Sequence, residues 1–197
     1  MSSKSKSMRG QVKTMIADKP MDFCQTPHYA IDPLLPYLPK HWAIWESACG
    51  EGQIVRKLTN EGYEVIGTDV RGDNGRGRNF FFDSPDMWDC QVTNPPYSIK
   101  YDWLERSYQL EQPFALLLPV ETLGAKTAQR LFDKHGIEVI FLDKRVNFKM
   151  PHKQYSGTAH FPTAWFTWRL NLPDKMMFSE VVYYPDEQMR LIQEAVL

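Results

Sequence analysis

Short, almost continuously apolar runs separated by stretches of helical character constrain this chain most. Residues 42–46, 63–68, 113–120 and 137–142 carry little of the two-residue alternation of a sheet with one wet face. Strands of this kind are buried on both faces, as in a mostly parallel sheet. Helical stretches are expected between them over 53–61, ended by Gly62, over 102–110, and over 122–135, ended by Gly136. Asp32-Pro33 opens a shorter helix, and brief strands are expected at 80–82, ending at Asp83, and at 90–93. The expectation is α/β: one domain over 21–197 built on a mostly parallel, doubly wound sheet. Residues 1–20 read as a flexible basic tail, with Lys4, Lys6, Arg9, Lys13 and Lys19 against Asp18. The pattern changes from Arg145 to Arg169. A basic loop is followed by 164–168, expected as a C-terminal antiparallel hairpin strand on the sheet edge, and 185–197 reads as a last helix.

Composition sets limits. With 197 residues and 43% hydrophobic content the chain can furnish one full core. Its three cysteines, Cys24, Cys49 and Cys90, are widely spaced with no Cys-x-x-Cys pair, so neither a disulfide framework nor a metal site is expected. No apolar run reaches membrane-spanning length and no hydrophobic signal core opens the chain. The expectation is a cytoplasmic protein without a membrane partner.

Asn94-Pro95-Pro96-Tyr97 follows the strand at 90–93. Two consecutive prolines cannot donate ladder hydrogen bonds, so the strand must stop at Asn94. Each residue before a proline is held extended. The result is a stiff corner at the carboxyl end of a strand, where open α/β sheets bind ligands. The Asn94 side-chain carbonyl and the Pro95 backbone carbonyl can both accept from one exocyclic NH2 group. Tyr97 offers a flat face to a planar ring. Read alone, the same four residues are also a proline-rich turn.

A second constellation lies upstream. Glu46-x-x-x-Gly50-x-Gly52 sits between an expected strand and an expected helix, where glycines let backbone approach a ligand. Asp69 closes the next strand, where a carboxylate can take both ribose hydroxyls. Asp83, at the end of the strand after that, can accept from an adenine amino group. Position 55 is Val, so the third glycine of a dinucleotide fingerprint is absent, and there is no Gly-Lys-Ser/Thr phosphate loop. Glu46 would repel a pyrophosphate and favour an ammonium. A nucleoside with an ammonium fits, and S-adenosylmethionine has an ammonium, a ribose and an adenine for Glu46, Asp69 and Asp83. Each acid alone also reads as a helix cap.

These residues resemble class I S-adenosylmethionine-dependent amino-methyltransferases, in particular phage- and prophage-type DNA N6-adenine methyltransferases. Trp45-Glu46-Ser47-Ala48-Cys49-Gly50-Glu51-Gly52 is similar to their first motif, Asp69 with Val70 and Asp83 to the next two, and Asn94-Pro95-Pro96-Tyr97 to their catalytic motif. Thr26-Pro27 resembles the motif that touches the methionine end of the cofactor. The resemblance covers roughly residues 22–170 and implies a Rossmann-like fold, S-adenosylmethionine as cofactor and double-stranded DNA as partner, with a role in restriction-modification or a related DNA methylation. It implies cofactor contacts from Thr26, Pro27, Glu46, Ala48, Cys49, Gly50, Gly52, Asp69, Val70, Asp83 and Asn94, and chemistry at Asn94, Pro95, Pro96 and Tyr97. The family's long target-recognition domain has no counterpart here. Base and phosphate contacts are therefore expected from Tyr97, Arg76, Arg78, Lys149 and Lys153, while Phe148, Phe161 and Trp165 read first as core residues and second as packing near the base.

Two other readings remain at this point. The same motif serves an RNA adenine, a cytosine N4 or a protein glutamine, of which Asn94 favours adenine or glutamine. The same fold also serves as a non-catalytic cofactor-binding module.

Overall fold

The computed structural model describes residues 22, 24–71, 77–148 and 161–182. Seven strands form one sheet: β1 (Ala43–Glu46), β2 (Glu64–Gly67), β3 (Cys90–Thr93), β4 (Phe114–Pro119), β5 (Glu138–Leu142), β6 (Thr163–Trp168) and β7 (Met176–Ser179). Their order is β2-β1-β3-β4-β6-β5-β7. β2, β1, β3 and β4 run parallel; β6 is antiparallel to both neighbours, and β7 is parallel to β5. Among the described residues three α-helices accompany them: α1 (Gln53–Asn60), α2 (Lys100–Gln109) and α3 (Lys126–His135).

Successive side chains of a strand point to opposite faces, and the core divides accordingly. On β4, Ala115 and Leu117 join one apolar cluster while Phe114, Leu116 and Leu118 join the other. The first face is covered by the turn residues Ile31, Leu34 and Leu38 with Ile54 and Leu58 of α1. The second is covered by Trp103, Leu104 and Tyr108 of α2 with Ala128 of α3. This two-sided burial is why the strands read as continuously apolar. The sheet is the expected doubly wound one. Its order reverses between β1 and β3, so the carboxyl ends of those two strands open a crevice.

Three expectations need correction. The run 80–82 is a turn, not a strand. Asn79 O accepts from Phe82 and Asp83 N–H, Asn79 Oδ1 from Phe81 N–H, and Asp83 Oδ2 from Asn79 N–H. Those donors are spent locally. Phe80 instead stacks on Trp103, ring centroids 4.2 Å apart, and leans on Trp45 at 5.5 Å. The 164–168 run lies inside the sheet, between β4 and β5, not on its edge. Both its faces are apolar and filled, so only an interior position buries them. β7 takes that edge. The helix expected over 122–135 is split: a 3-10 turn, Val120–Gly124, then extended Ala125, then α3. The residues opened by Asp32-Pro33 form a 3-10 turn, Asp32–Tyr37. The basic tail and the expected C-terminal helix lie outside the described residues. Among the described residues, no helix is long and apolar enough to cross a membrane.

Candidate functional site

The crevice is formed by three loops and closed by the N-terminal segment. After β1 the chain turns through Gly50 (φ +49°) and Gly52 (φ +82°) into α1. These left-handed conformations favour glycine. At Gly50 there is a second reason: a Cβ there would stand 2.7 Å from Gln25 Nε2. Gln25 Oε1 accepts the Glu51 N–H at 3.1 Å, so the N-terminal segment is fastened over the turn. Asp22 fastens it elsewhere, its carboxylate accepting from Ser98 N–H at 3.1 Å and from the Ser98 hydroxyl. A third tie runs from Asn94 Nδ2 to the Cys24 carbonyl at 3.4 Å.

Glu46 ends β1 and is 1% exposed. Its Oε1 accepts from Ala48 N–H at 2.9 Å and from the Thr93 hydroxyl, and its Oε2 is buried without a hydrogen-bond partner. Burial dominates its surroundings and pushes the carboxyl up to about 8, aided by the nearby Asp69 charge and opposed by the two hydrogen bonds. Asp69 follows β2. Its Oδ2 accepts the Gly50 N–H at 2.9 Å, and its Oδ1 accepts Arg71 N–H at 2.9 Å and Arg71 Nε–H at 3.3 Å. Asp69 thus holds the glycine turn in shape. Each carboxylate oxygen has two lone-pair directions, so Oδ1 is filled and Oδ2 keeps one direction open. The cavity also holds two thiols in protonated form: burial raises Cys24 to about 11 and Cys49 to about 12, with Asp22 adding for Cys24 and Glu46 and Asp69 for Cys49.

Asn94 stands at the end of β3. With Nδ2 spent on Cys24, its Oδ1 is buried and unpartnered, an acceptor in the cavity wall. Pro96 is in the same wall, and Pro95 is buried behind it. Tyr97 lies beside the cavity, not in its wall. Its ring meets Phe148 and Phe161 edge-on, with centroids 6.3 and 5.7 Å away. Its hydroxyl is buried without a partner, and burial raises its pKa well above the usual phenol value.

Of the residues singled out in the sequence, Thr26, Glu46, Ala48, Cys49, Gly50, Asp69, Val70, Asn94 and Pro96 meet in one cavity wall. Pro27 leads from Thr26 into the 3-10 turn His28–Ala30, and Gly52 caps α1. Asp83 stands outside the wall, its carboxylate closing the Asn79 turn, while Asn79 and Phe80 are in the wall instead. Phe148 and Phe161 do lie against Tyr97. Trp165 belongs to the core, its Nε1–H donating to Ala30 O at 2.7 Å. Arg78 is exposed, with Nη1 donating to Ser84 O at 3.4 Å. Arg76, Lys149 and Lys153 lie outside the described residues. Ser47 of the first motif and Arg71 at the head of the basic loop also line the wall, and residues the sequence did not reveal complete it: Asp22, Cys24, Gln25 and Trp103 among them. Trp103 Nε1 is another buried donor without a partner.

These residues fit a ligand carrying a cation, a sugar diol and a flat heterocycle. Glu46 Oε2 is an unpartnered acceptor that could take the cation, Asp69 Oδ2 keeps one acceptor direction beside the glycine turn, and Val70, Phe80 and Pro96 supply apolar walls.

No protein-family model matches the chain, and no curated protein matches its sequence. Solved structures match its fold. A candidate class I S-adenosylmethionine-dependent methyltransferase from Listeria monocytogenes is similar over 95% of this chain and 76% of its own, at TM-score 0.58 and 13% identity. A candidate RNA methyltransferase from Pyrococcus horikoshii is similar over 85% of this chain and 97% of its own, at TM-score 0.57 and 13% identity. A candidate modification subunit of a type I restriction enzyme from Vibrio vulnificus is similar over 90% of this chain and 50% of its own, at TM-score 0.54 and 12% identity. With its antiparallel β6 between β4 and β5, the chain has the Rossmann-like fold of class I methyltransferases.

Proposed function

We propose that this chain is an S-adenosylmethionine-dependent methyltransferase whose acceptor is the exocyclic N6 amine of an adenine in double-stranded DNA. The observation that carries the proposal is Asn94 Oδ1. It is buried and unpartnered in the same cavity as Glu46 and the glycine turn. An acceptor kept unused in a buried site costs about 1–3 kcal/mol unless a ligand completes it.

S-adenosylmethionine, when bound, supplies an electrophilic methyl group on a sulfonium. Glu46 Oε2 would take its ammonium, Asp69 Oδ2 one ribose hydroxyl, and Val70, Phe80 and Pro96 its base. Asn94 Oδ1 and the Pro95 carbonyl would accept the two N–H bonds of the target amine. That pairing draws the nitrogen toward a tetrahedral shape and leaves its lone pair exposed for reaction. An adenine amine becomes acidic only once methylated, so no strong base is needed. Catalysis rests on positioning and on acceptors already in place. Tyr97, flanked by Phe148 and Phe161, would stack on a base flipped from the duplex, which costs a few kcal/mol to extrude.

The choice of DNA adenine rests on the likeness of Asn94-Pro95-Pro96-Tyr97 to the motif of N6-adenine enzymes. The basic stretches 71–78 and 145–160 would meet phosphates through Arg76, Arg78, Lys149 and Lys153. In this reading the chain works in the cytoplasm, in a restriction-modification or phage setting.

The test is transfer to unmethylated double-stranded DNA, followed by digestion to nucleosides and mass analysis. N6-methyladenine is the expected product. Binding of S-adenosylmethionine with no methylated deoxynucleoside would refute the DNA reading, and methyl groups on RNA under the same conditions would replace it.

A further inference from the structure

The Glu46 end of the cavity holds a buried carboxyl with no countercharge. Oε1 is anchored by Ala48 N–H and the Thr93 hydroxyl, and Oε2 has no partner. Each element packed around Glu46 presents an anion, a neutral group or a cation already taken. Past β2 stands Asp69, with Arg71 bound to it at 3.3 Å. The glycine turn presents the Cys49 thiol and β3 the Thr93 hydroxyl. The N-terminal segment brings Asp22 and Cys24 to the same wall. Among the described residues, no Lys, Arg or His forms an ion pair with Glu46. An isolated charge in such a place is far more costly than the neutral acid.

We infer that Glu46 stands as the neutral acid in the ligand-free protein, with its proton on Oε2, and gives up that proton when the cavity takes a ligand bearing a cationic amine. The inference rests on the proposed reading of the cavity as a site for S-adenosylmethionine and adds a proton to its binding equilibrium. The balance is simple. The carboxyl O–H bond breaks, the proton passes to the buffer, and the carboxylate pairs with the incoming ammonium. A ligand without a cation leaves the carboxyl as it was. Glu46 thereby becomes a specificity element, because only a cation compensates loss of its proton. The position of the carboxyl near 8 in the ligand-free protein agrees with this. Affinity for a cationic ligand should therefore rise about tenfold per unit of increasing pH up to about 8, and fall again once the ligand's own amine loses its proton.

The experiment is isothermal titration calorimetry of the full chain with S-adenosylhomocysteine at pH 6.5, in two buffers of different ionisation enthalpy. Release of about one proton per ligand is expected. 5′-Methylthioadenosine, which keeps the nucleoside and lacks the ammonium, should bind with no proton release. Glu46→Gln should bind S-adenosylhomocysteine without proton release and with pH-independent affinity. A cooperative urea-unfolding transition reports whether the variant is folded, and if it is not, the wild-type proton count decides alone. Binding of S-adenosylhomocysteine by the wild-type chain with no proton exchange and a flat pH profile would overturn the inference while leaving the proposed function intact. Failure of the wild-type chain to bind either nucleoside would overturn both.

Discussion

The two ends of the sheet treat their buried polar groups in opposite ways. Near the start of β4 and the end of β6, Tyr108, Phe114, His135 and Trp168 form one aromatic group, with Tyr108 and His135 stacked at 4.7 Å. Its tyrosine and tryptophan polar atoms are paired: Tyr108 hydroxyl donates to Gly136 O at 2.7 Å and Trp168 Nε1–H to His135 O at 2.9 Å. At the carboxyl ends of β1 and β3 the chemistry is reversed. Glu46 Oε2, Asn94 Oδ1, Tyr97 hydroxyl and Trp103 Nε1 are buried and unpartnered within one neighbourhood. Proteins rarely leave such groups unsatisfied, and each one needs a reason. One end is finished for stability; the other is left incomplete for something the chain alone does not contain. Thr122 and Thr163 hydroxyls and Arg106 Nε are also unpartnered and are not explained by the cavity.

Substitutions at the two ends should separate accordingly. The largest effect is expected from Asn94→Ala. Transfer should fall by roughly 10²–10³ or more, the scale set by losing one preorganised polar contact to the reacting group. Binding of S-adenosylhomocysteine and the urea midpoint should change little. Full activity in this variant would remove the corner from the mechanism. In the packed interior, Leu117→Ala should cost about 2–5 kcal/mol in urea unfolding, because Leu117 is fully buried on β4. A cost under about 1 kcal/mol would mean the core there is looser than the packing implies.

Glu46 predicts a pH dependence of stability with a definite sign. Its carboxyl ordinarily titrates at 4.5 and is held near 8 in the fold. Between those values the folded chain binds more protons than the unfolded one, so this group's contribution to stability declines as pH rises from about 5 to about 8. Glu46→Gln should flatten that decline; urea melts across the range would show it, and an unchanged slope would refute it. The smallest effect is expected at the finished end. Tyr108→Phe removes the bond to Gly136 O and should cost about 1 kcal/mol, with transfer unaffected.

Much of the fold was legible because burial on both faces leaves a direct trace in the chain. β4 is apolar at every position, and the two prolines after Asn94 could only end a strand. The failures have a common cause. Phe80-Phe81-Phe82 has the composition of a strand, yet stacking on Trp103, an α2 residue more than twenty positions away, decided its conformation. Residues 163–168 carry the same apolar pattern whether they flank the sheet or divide it, so β6 was misplaced. The site shows the same division. Glu46, Gly50, Asp69 and Asn94 announced themselves by lying at strand ends. Asp22, Gln25 and Trp103 did not, because nothing local in the chain brings Asp22 to Ser98 or Gln25 to Glu51. Asn79 could have been noticed as the polar residue opening the aromatic run; Asp83 drew attention because it was charged.

The account turns on whether the unpartnered atoms at the β1 and β3 ends are completed by a ligand. A crystal structure of the chain with S-adenosylhomocysteine tests that directly. The account predicts the ligand's ammonium within hydrogen-bond distance of Glu46 Oε2 and its ribose at Asp69, with Asn94 Oδ1 still open toward the space for a target amine. A ligand bound elsewhere, or bound here with Glu46 Oε2 left unpartnered, would contradict it.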